Sequence, residues 1–220
     1  MHITYRPPHG SPTRLQWEDI SPDTKTVACV LLLHGRGVNR KDLIPVAELI
    51  DLSGIHWVFP DAPFSFVQMP GGKMWFESAP DSKEGIALSR HLLTALIREL
   101  MLKDHLPADK IAIVGFSQGA VMTLDVGLHF SEPLGGLIAL SGFLFSSDQR
   151  TSASYKTPIL LAHGTEDEVV FVDGSRESAA FLEKEGYAVQ LREYPIGHTI
   201  ITEEISLIRN FLRQHLGLFH

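Results

Sequence analysis

The sequence predicts an α/β fold in which an open, mostly parallel sheet carries helices on both faces. Short runs of continuous apolar residues, such as 27–33 and 111–116, are typical of strands buried on both faces. Segments with helical spacing of apolar residues lie between these runs, and this alternation is typical of parallel sheets. A chain of 220 residues with 44% hydrophobic residues can bury one large core. We therefore expect a single domain over residues 1–220.

Apolar spacing and breaker residues predict the elements in order along the chain. Strands are predicted at 27–33, 55–59, 111–116, 136–140, 158–163 and 188–194. Helices are predicted at 41–52, 82–103, 118–130, 173–184 and 202–216. Gly54 and Gly186 follow the first and fourth helices, and Pro60 stops the second strand. The proline-rich opening before residue 27 carries no predicted element, and residues 61–82 are predicted to form a long irregular loop with exposed aromatic side chains.

Charge and cysteine content exclude several classes of protein. Lys and Arg number 19 against 26 Asp and Glu, which leaves a net charge of −7 and no basic stripe for nucleic acid or an anionic membrane. Cys29 is the single cysteine and lies within an apolar run, so we expect a small core residue and no disulfide. The opening lacks an apolar signal region, and no run of about eighteen apolar residues occurs. We expect a cytoplasmic protein.

A candidate nucleophile lies where the strand at 111–116 meets the following helix. The segment Gly115-Phe116-Ser117-Gln118-Gly119 has the Gly-x-Ser-x-Gly form, in which a serine occupies a sharp strand-to-helix turn. The pentapeptide alone is only moderately specific, because Gly and Ser are common residues. Its position between an apolar strand and a helix is the context that the motif requires. Ser117 is therefore predicted to be a nucleophile, with a structural Gly-Ser turn as the alternative.

The carboxylate partner of this serine is predicted to follow the strand at 158–163. A serine nucleophile needs an imidazole as base, and the imidazole needs a carboxylate that orients it. On this kind of sheet the acid follows the nucleophile and precedes the histidine in the chain. Asp167 has this position at the carboxyl edge of the sheet, where ligands bind. Glu166 and Glu168 flank it and remain alternatives.

The base is selected from eleven histidines by its position. It must follow the acid and lie in a loop after the next strand, and His198 meets both conditions. His34 and His163 stand in His-Gly turns at strand ends, where we expect them to hold backbone geometry. The stretch between Asp167 and His198 accommodates one helix and one strand, so we expect no lid domain. The histidines show no metal-ligand spacing, and no metal site is predicted.

The oxyanion of an acyl-transfer intermediate needs two N–H donors that are already in place. The backbone N–H groups of Gln118 and Arg36 are the candidates, since one follows the nucleophile and the other follows an early strand. The Arg36 side chain is either solvated or placed to meet an acidic part of the substrate. Candidates for an acyl pocket, with ordinary core packing as the alternative, are Met69, Met74, Trp75, Phe76, Phe143 and Phe145.

The chain resembles the phospholipase/carboxylesterase family, which includes acyl-protein thioesterases and bacterial carboxylesterases. The resemblance runs from about Val30 to Leu212 and rests on Leu33-His34-Gly35-Arg36-Gly37, Pro60-Asp61-Ala62-Pro63, Trp75-Phe76-Glu77, Glu84-Gly85-Ile86, the Ser117 pentapeptide, Ala139-Leu140-Ser141-Gly142, His163-Gly164-x-x-Asp167-x-Val169-Val170 and Gly197-His198. It implies the α/β-hydrolase fold, a Ser117-Asp167-His198 triad, Arg36 and Gln118 as oxyanion donors, and ester or thioester hydrolysis without a cofactor. Three residues depart from the usual family pattern: Arg36 replaces an apolar residue, Phe171 a proline and Glu77 an aspartate.

The predicted function is hydrolysis of acyl esters by a serine carboxylesterase. Acyl groups of about two to eight carbons are expected to be the best substrates, because no lid or deep apolar tunnel is evident. An acyl-protein thioesterase or lysophospholipase acting on longer chains is the first alternative, which the apolar loop at 64–76 leaves open. A non-catalytic binding protein on a hydrolase scaffold is the second. The expected partner is a small acyl ester or thioester, and a homodimer is left open.

Overall fold

The computed structural model describes residues 11–77, 82–145 and 156–218. Its strands are β1 (Trp17–Ile20), β2 (Ala28–Leu33), β3 (Ile55–Pro60), β4 (Phe64–Ser65), β5 (Lys73–Met74), β6 (Ile111–Phe116), β7 (Gly136–Leu140), β8 (Ile159–Gly164) and β9 (Val189–Tyr194). Its α-helices are α1 (Ile44–Ile50), α2 (Ser82–Asp104), α3 (Gln118–His129), α4 (Val172–Lys184) and α5 (Thr202–Leu216). A short 3₁₀ helix at Ala108–Lys110 precedes β6.

Seven of these strands form one sheet in the order β1-β3-β2-β6-β7-β8-β9. All neighbours in it are parallel except β1, which runs antiparallel to β3 at the edge. Strands β4 and β5 form a separate antiparallel pair. The prediction of a mostly parallel α/β sheet is confirmed.

The sheet separates two apolar layers, and alternate residues of each strand enter opposite layers. In β2, for example, Leu31 and Leu33 face the layer built with α2, α3 and α4, whereas Val30 and Leu32 face α1 and α5. Every residue of β2, β3, β7 and β8 is buried. This two-sided burial explains why these strands lack polar alternation in the sequence. Among the described residues, none of the helices has the length and apolarity needed to cross a membrane.

Two elements differ from the prediction. The first helix spans Ile44–Ile50 rather than 41–52, because Pro45 is suited to the first turn and Asp51 adopts a left-handed conformation with φ 48° at the end. Strand β1 was not predicted. It is four residues long and half exposed at the sheet edge, so it lacks the apolar run that marks the inner strands.

The prediction of a wholly irregular, exposed loop at 61–82 was wrong for its described part, residues 61–77 and 82. The segment forms the β4–β5 hairpin and folds back on the body of the protein. The backbone of Lys73 is hydrogen-bonded to Gly37 N and to Val38 O, at 2.8 and 2.7 Å. As a result Trp75 is fully buried and Phe76 is only 8% exposed.

Candidate active site

Ser117 lies in a strained turn between β6 and α3. Its backbone has φ 56° and ψ −120°, a conformation that residues other than glycine rarely adopt. The turn is held on both sides, because Ser117 N donates to Leu140 O at 2.9 Å and Ser117 O accepts from Ala120 N at 2.9 Å. The side chain is partly exposed at the carboxyl edge of the sheet. A strained, fixed and accessible hydroxyl is the arrangement expected of a nucleophile.

The two glycines around this serine are required by close backbone contacts. A Cβ at Gly115 would lie 2.2 Å from Gly119 O, and a Cβ at Gly119 would lie 2.0 Å from Leu33 O. Both distances are far below van der Waals contact, so any side chain at either position would displace the backbone. The turn can therefore pack against the end of β2 only with glycine at both positions.

Asp167 follows β8, and its carboxylate is fully buried and hydrogen-bonded at both oxygens. Oδ1 accepts from Val169 N and Val170 N, each at 2.9 Å, and Oδ2 accepts from His198 Nδ1 at 2.6 Å. Burial acts to raise the pKa of Asp167, but these hydrogen bonds outweigh burial and hold the pKa below its ordinary value. Glu166 and Glu168, the two alternatives, are exposed. The carboxylate of Asp167 is thus held ionised against an imidazole.

His198 lies in the loop between β9 and α5, with its ring against Phe116 at a centroid distance of 4.7 Å. It therefore lies beside the residue that precedes Ser117. Its Nδ1 donates to Asp167, which leaves Nε2 for proton exchange with a substrate or nucleophile. The loop reaches this position by crossing over Gly164, where a Cβ would lie only 2.2 Å from Ile196 O.

The backbone after β2 passes close to Ser117, since a Cβ at Gly35 would lie 3.5 Å from the Ser117 Cβ. His34 fixes this segment, as the sequence predicted. Its Nε2 accepts from Ala62 N at 3.1 Å, and its Nδ1 donates to Gly35 O at 2.7 Å. Burial lowers the pKa of His34, in agreement with a neutral ring that donates at one nitrogen and accepts at the other. The backbone N–H of Arg36 is thereby carried on a fixed loop next to the nucleophile.

The side chain of Gln118 has a role that sequence reasoning missed. Its Oε1 accepts from Trp75 N at 3.0 Å, and its Nε2 donates to Phe76 O at 2.9 Å. It therefore clamps the hairpin loop to the residue that follows Ser117. Trp75 adds a second tie, because its indole N–H donates to His34 O at 2.9 Å. The motif indicates the backbone role of Gln118, but no sequence signal indicates these side-chain contacts.

Four of the six candidate pocket residues show how different their environments are. Met69 is half exposed and its sulfur approaches Gly37, whereas Phe143 is partly buried near Gly174. Trp75 has no exposed surface, so in this structure its ring supports the loop around His34 and lines no open wall. Phe76 is nearly buried and packs near Phe145 at a centroid distance of 6.2 Å. Met69 and Phe143 are thus the more accessible members of the set.

The Arg36 side chain is exposed but does not extend freely into solvent. Its guanidinium carbon lies 4.8 Å from the centre of the Phe66 ring, and a guanidinium nitrogen lies 4.0 Å from the Glu77 carboxylate. Two of the residues that depart from the usual family pattern, Arg36 and Glu77, therefore lie against each other. A long, exposed pair of this kind contributes little to stability.

Known proteins resemble this chain in sequence and in fold. A family model described as Phospholipase/Carboxylesterase matches residues 18–216. Acyl-protein thioesterase 1 of Debaryomyces hansenii is 33% identical over 208 residues, which cover 84% of this chain and 90% of the relative. Carboxylesterase SOBER1 of Arabidopsis thaliana is 29% identical over 206 residues, which cover 85% of this chain and 90% of the relative.

A solved structure, the crystal structure of esterase PE8, matches with a TM-score of 0.85 and 30% identity. The match covers 92% of this chain and 100% of the PE8 chain. The fold, the family model and the relatives lead to the same conclusion. The chain belongs to the phospholipase/carboxylesterase family of α/β-hydrolases, and it is a carboxylic ester hydrolase.

Proposed function

We propose that this esterase works through an acyl-enzyme on Ser117, with His198 as general base and Asp167 as the orienting acid. The observation that carries the proposal is the 2.6 Å hydrogen bond from His198 Nδ1 to Asp167 Oδ2, in a site where the His198 ring lies against the residue before Ser117. The bond fixes the tautomer that leaves Nε2 as the proton acceptor. Asp167 also stabilises the imidazolium that forms when that proton is taken.

In the proposed cycle the Ser117 hydroxyl attacks the ester carbonyl carbon while His198 Nε2 takes its proton. The oxyanion of the tetrahedral intermediate accepts hydrogen bonds from the backbone N–H groups of Arg36 and Gln118. His198 then gives its proton to the leaving alcohol, and the C–O bond breaks to leave an acyl group on Ser117. Water, deprotonated by the same imidazole, hydrolyses this acyl-enzyme and restores the serine.

We propose short- to medium-chain acyl esters as the preferred substrates. The chain between Asp167 and His198 contains α4 and β9 and no inserted lid. The hairpin loop, another segment beside the site, is tied by Lys73 and Gln118 to the body of the protein. A site bordered by fixed, short segments favours small acyl groups over long ones.

A specific observation keeps the longer-chain alternative open, namely an acyl-protein thioesterase or lysophospholipase. Four apolar side chains, two in the β4–β5 hairpin loop and two between Asp167 and α4, are half or more exposed. They are Val67 at 88%, Met69 at 50%, Val169 at 70% and Phe171 at 72%. Exposed apolar groups near a site are typical of surfaces that meet acyl chains or lipids. The non-catalytic alternative is disfavoured, because the strained conformation of Ser117 costs about 1–3 kcal/mol and has no evident structural benefit.

Hydrolysis of p-nitrophenyl esters from acetate to palmitate, with one acyl thioester beside them, tests these proposals. The wild-type enzyme is compared with Ser117→Ala. A short-chain optimum that the alanine abolishes is expected. A long-chain or thioester preference would favour the alternative, and equal rates for both proteins would contradict the mechanism.

A cytoplasmic location is a further prediction, whereas a homodimer is left open. Cell fractionation tests the first. Light scattering of the purified enzyme tests the second.

A further inference from the structure

His163 is a buried imidazole at the end of β8, and the proposed triad does not use it. Its side chain has no exposed surface, although it lies only four residues before Asp167. A buried imidazole is costly unless both of its ring nitrogens are hydrogen-bonded. The contacts that satisfy the ring therefore indicate what it does in the fold.

The Nε2 edge of His163 faces the loop that carries the acid. Nε2 donates to Val170 O at 2.7 Å, and it lies 3.4 Å from Asp167 Oδ2. This carboxylate oxygen is the one that accepts from His198. Val170 in turn donates its backbone N–H to the other carboxylate oxygen. The ring thus fixes both the turn that binds Asp167 and the side of the carboxylate that meets the catalytic imidazole.

The Nδ1 edge of His163 faces the nucleophile side of the site. Nδ1 lies 2.6 Å from Ser175 Oγ at the start of α4, and Ser175 Oγ lies 2.5 Å from Gly142 O, its acceptor. Gly142 packs against the nucleophile turn, because a Cβ added at Gly142 would lie 2.4 Å from Ala120 Cβ and 3.3 Å from Ser117 O. A continuous chain of buried contacts therefore runs from the acid turn through His163 to the turn of Ser117.

We propose that His163 is a positioning residue, which holds Asp167 in register with His198 and with the Ser117 turn. The proposal rests on the triad assigned under Proposed function. A movement of about 1 Å in a catalytic group can cost about a hundredfold in rate. Oδ1 of Asp167 is held by two backbone N–H groups of its own turn, whereas the contacts of Oδ2 are with the rings of His198 and His163. Loss of the His163 ring therefore leaves Oδ2 freer to shift relative to His198.

Two substitutions distinguish the contribution of the Nε2 contacts, which face the Asp167 turn, from that of the Nδ1 contact with Ser175. In His163→Asn the amide reaches only the Nδ1 position, so the contact with Ser175 is kept and the donor to Val170 O is lost. In His163→Gln the longer side chain brings an N–H to the Nε2 position. We expect His163→Asn to lower kcat about tenfold to a hundredfold with KM changed by less than about twofold. We expect His163→Gln to recover kcat to within about threefold of wild type.

The measurement is kcat per active site, with sites counted from the initial burst of p-nitrophenol. A residue that serves stability alone would reduce the number of sites and the melting temperature but would leave kcat per site unchanged. Proton NMR adds a direct readout. The downfield resonance of the His198 Nδ1–H bonded to Asp167 is expected in wild type and His163→Gln and is displaced in His163→Asn.

Wild-type kcat per site and an unshifted resonance in His163→Asn would overturn the proposal. If neither variant at this position folds, Ser175→Ala decides the question, since it removes one hydroxyl from the chain of contacts. A lowered kcat with unchanged KM is then expected, and wild-type kcat overturns the role of His163. Failure of the triad itself is recognised separately, because Ser117→Ala would then keep its activity.

Discussion

At the scale of single residues, glycines set how closely the segments of the candidate site approach one another. Gly164 is the last residue of β8, and the loop that carries His198 passes directly over it. A Cβ at Gly164 would lie 2.2 Å from Ile196 O and 2.6 Å from Gly197 O. Gly197, the residue before His198, is different, because a Cβ there would have Glu166 O as its nearest atom, at 3.7 Å. The first glycine is required by contact, whereas the second has room for a methyl group.

Gly164→Ala is therefore expected to push the His198 loop away from Asp167. A displacement of the imidazole by about 1 Å is expected to lower kcat about a hundredfold. Gly197→Ala is the matched control and should keep activity close to wild type, since its methyl group makes only ordinary contacts. Steady-state hydrolysis of p-nitrophenyl butyrate by both variants makes the comparison. Equal losses in the two variants would contradict the argument from close approach.

The sequence predicts some residues of the site better than others, and the reason is distance along the chain. Ser117, Asp167 and His198 are predicted from local motifs and from their order, because each comes after a recognisable strand. The contacts of Gln118 with the backbone at Trp75 join positions 43 residues apart, and no local pattern encodes them. The contact of the Trp75 indole with His34 O is also long-range, so the sequence indicates only a pocket candidate with core packing as the alternative.

At the scale of elements, helices are predicted well because their apolar residues recur with helical spacing, and inner strands because they are short continuous apolar runs. Helix α5 was predicted with its observed bounds, Thr202–Leu216. Strand β1 has four residues with two of them exposed, so it pairs with β3 through its backbone and leaves little trace in hydrophobicity. The bend of the 61–77 segment onto Gly37 depends on tertiary hydrogen bonds that local sequence does not determine.

The start of α5 contains a buried acid that makes stability depend on pH. Glu204 is 1% exposed, and its Oε2 accepts from Ile201 N at 2.9 Å. Burial raises the pKa of Glu204 to about 7 from 4.5, and this hydrogen bond only partly opposes the effect. Between these two values the folded state binds more protons than the unfolded state. The contribution of Glu204 to stability is therefore present at low pH and is lost as the pH rises through this window.

Glu204→Gln is accordingly expected to stabilise the protein at pH 8 by about 1–3 kcal/mol, because a neutral amide keeps an acceptor for Ile201 N without burying a charge. The difference should shrink toward zero below about pH 4.5, where the carboxyl is neutral in both states. Urea unfolding of both proteins at pH 4.5 and pH 8 measures it. A variant that is less stable than wild type at pH 8 would contradict the assignment.

At the scale of the whole molecule, one edge of the sheet gathers the candidate catalytic groups. The loop with Arg36 follows β2, Ser117 follows β6, Asp167 follows β8 and His198 follows β9. These strands are neighbours or next neighbours in the sheet, and all of them run in the same direction. Parallel strands therefore deliver residues distant in sequence to a common edge, and this placement could be predicted from the alternation of strands and helices. The position of the hairpin across that edge could not be predicted from this alternation.

Hydrogen exchange should reveal this division between a rigid sheet and clamped loops. Backbone amides in β2, β7 and β8, which are buried throughout, are expected to exchange only through global unfolding. The exposed end of β1 should exchange fastest among the sheet strands.

The β4–β5 hairpin is the decisive segment. Lys73 ties it to Gly37 and Val38, which follow Arg36, and the Gln118 side chain binds the backbone just after β5. Its bonded amides at Lys73 and Trp75 should exchange more slowly than exposed loop amides. Gln118→Ala should accelerate exchange at Trp75 while leaving β7 and β8 unchanged, because only the local clamp is removed. Mass spectrometry of exchanged peptides resolves these segments. Rapid exchange of Trp75 in the wild-type enzyme would show that the hairpin opens independently of the sheet, and the oxyanion loop would then lack the support inferred for it.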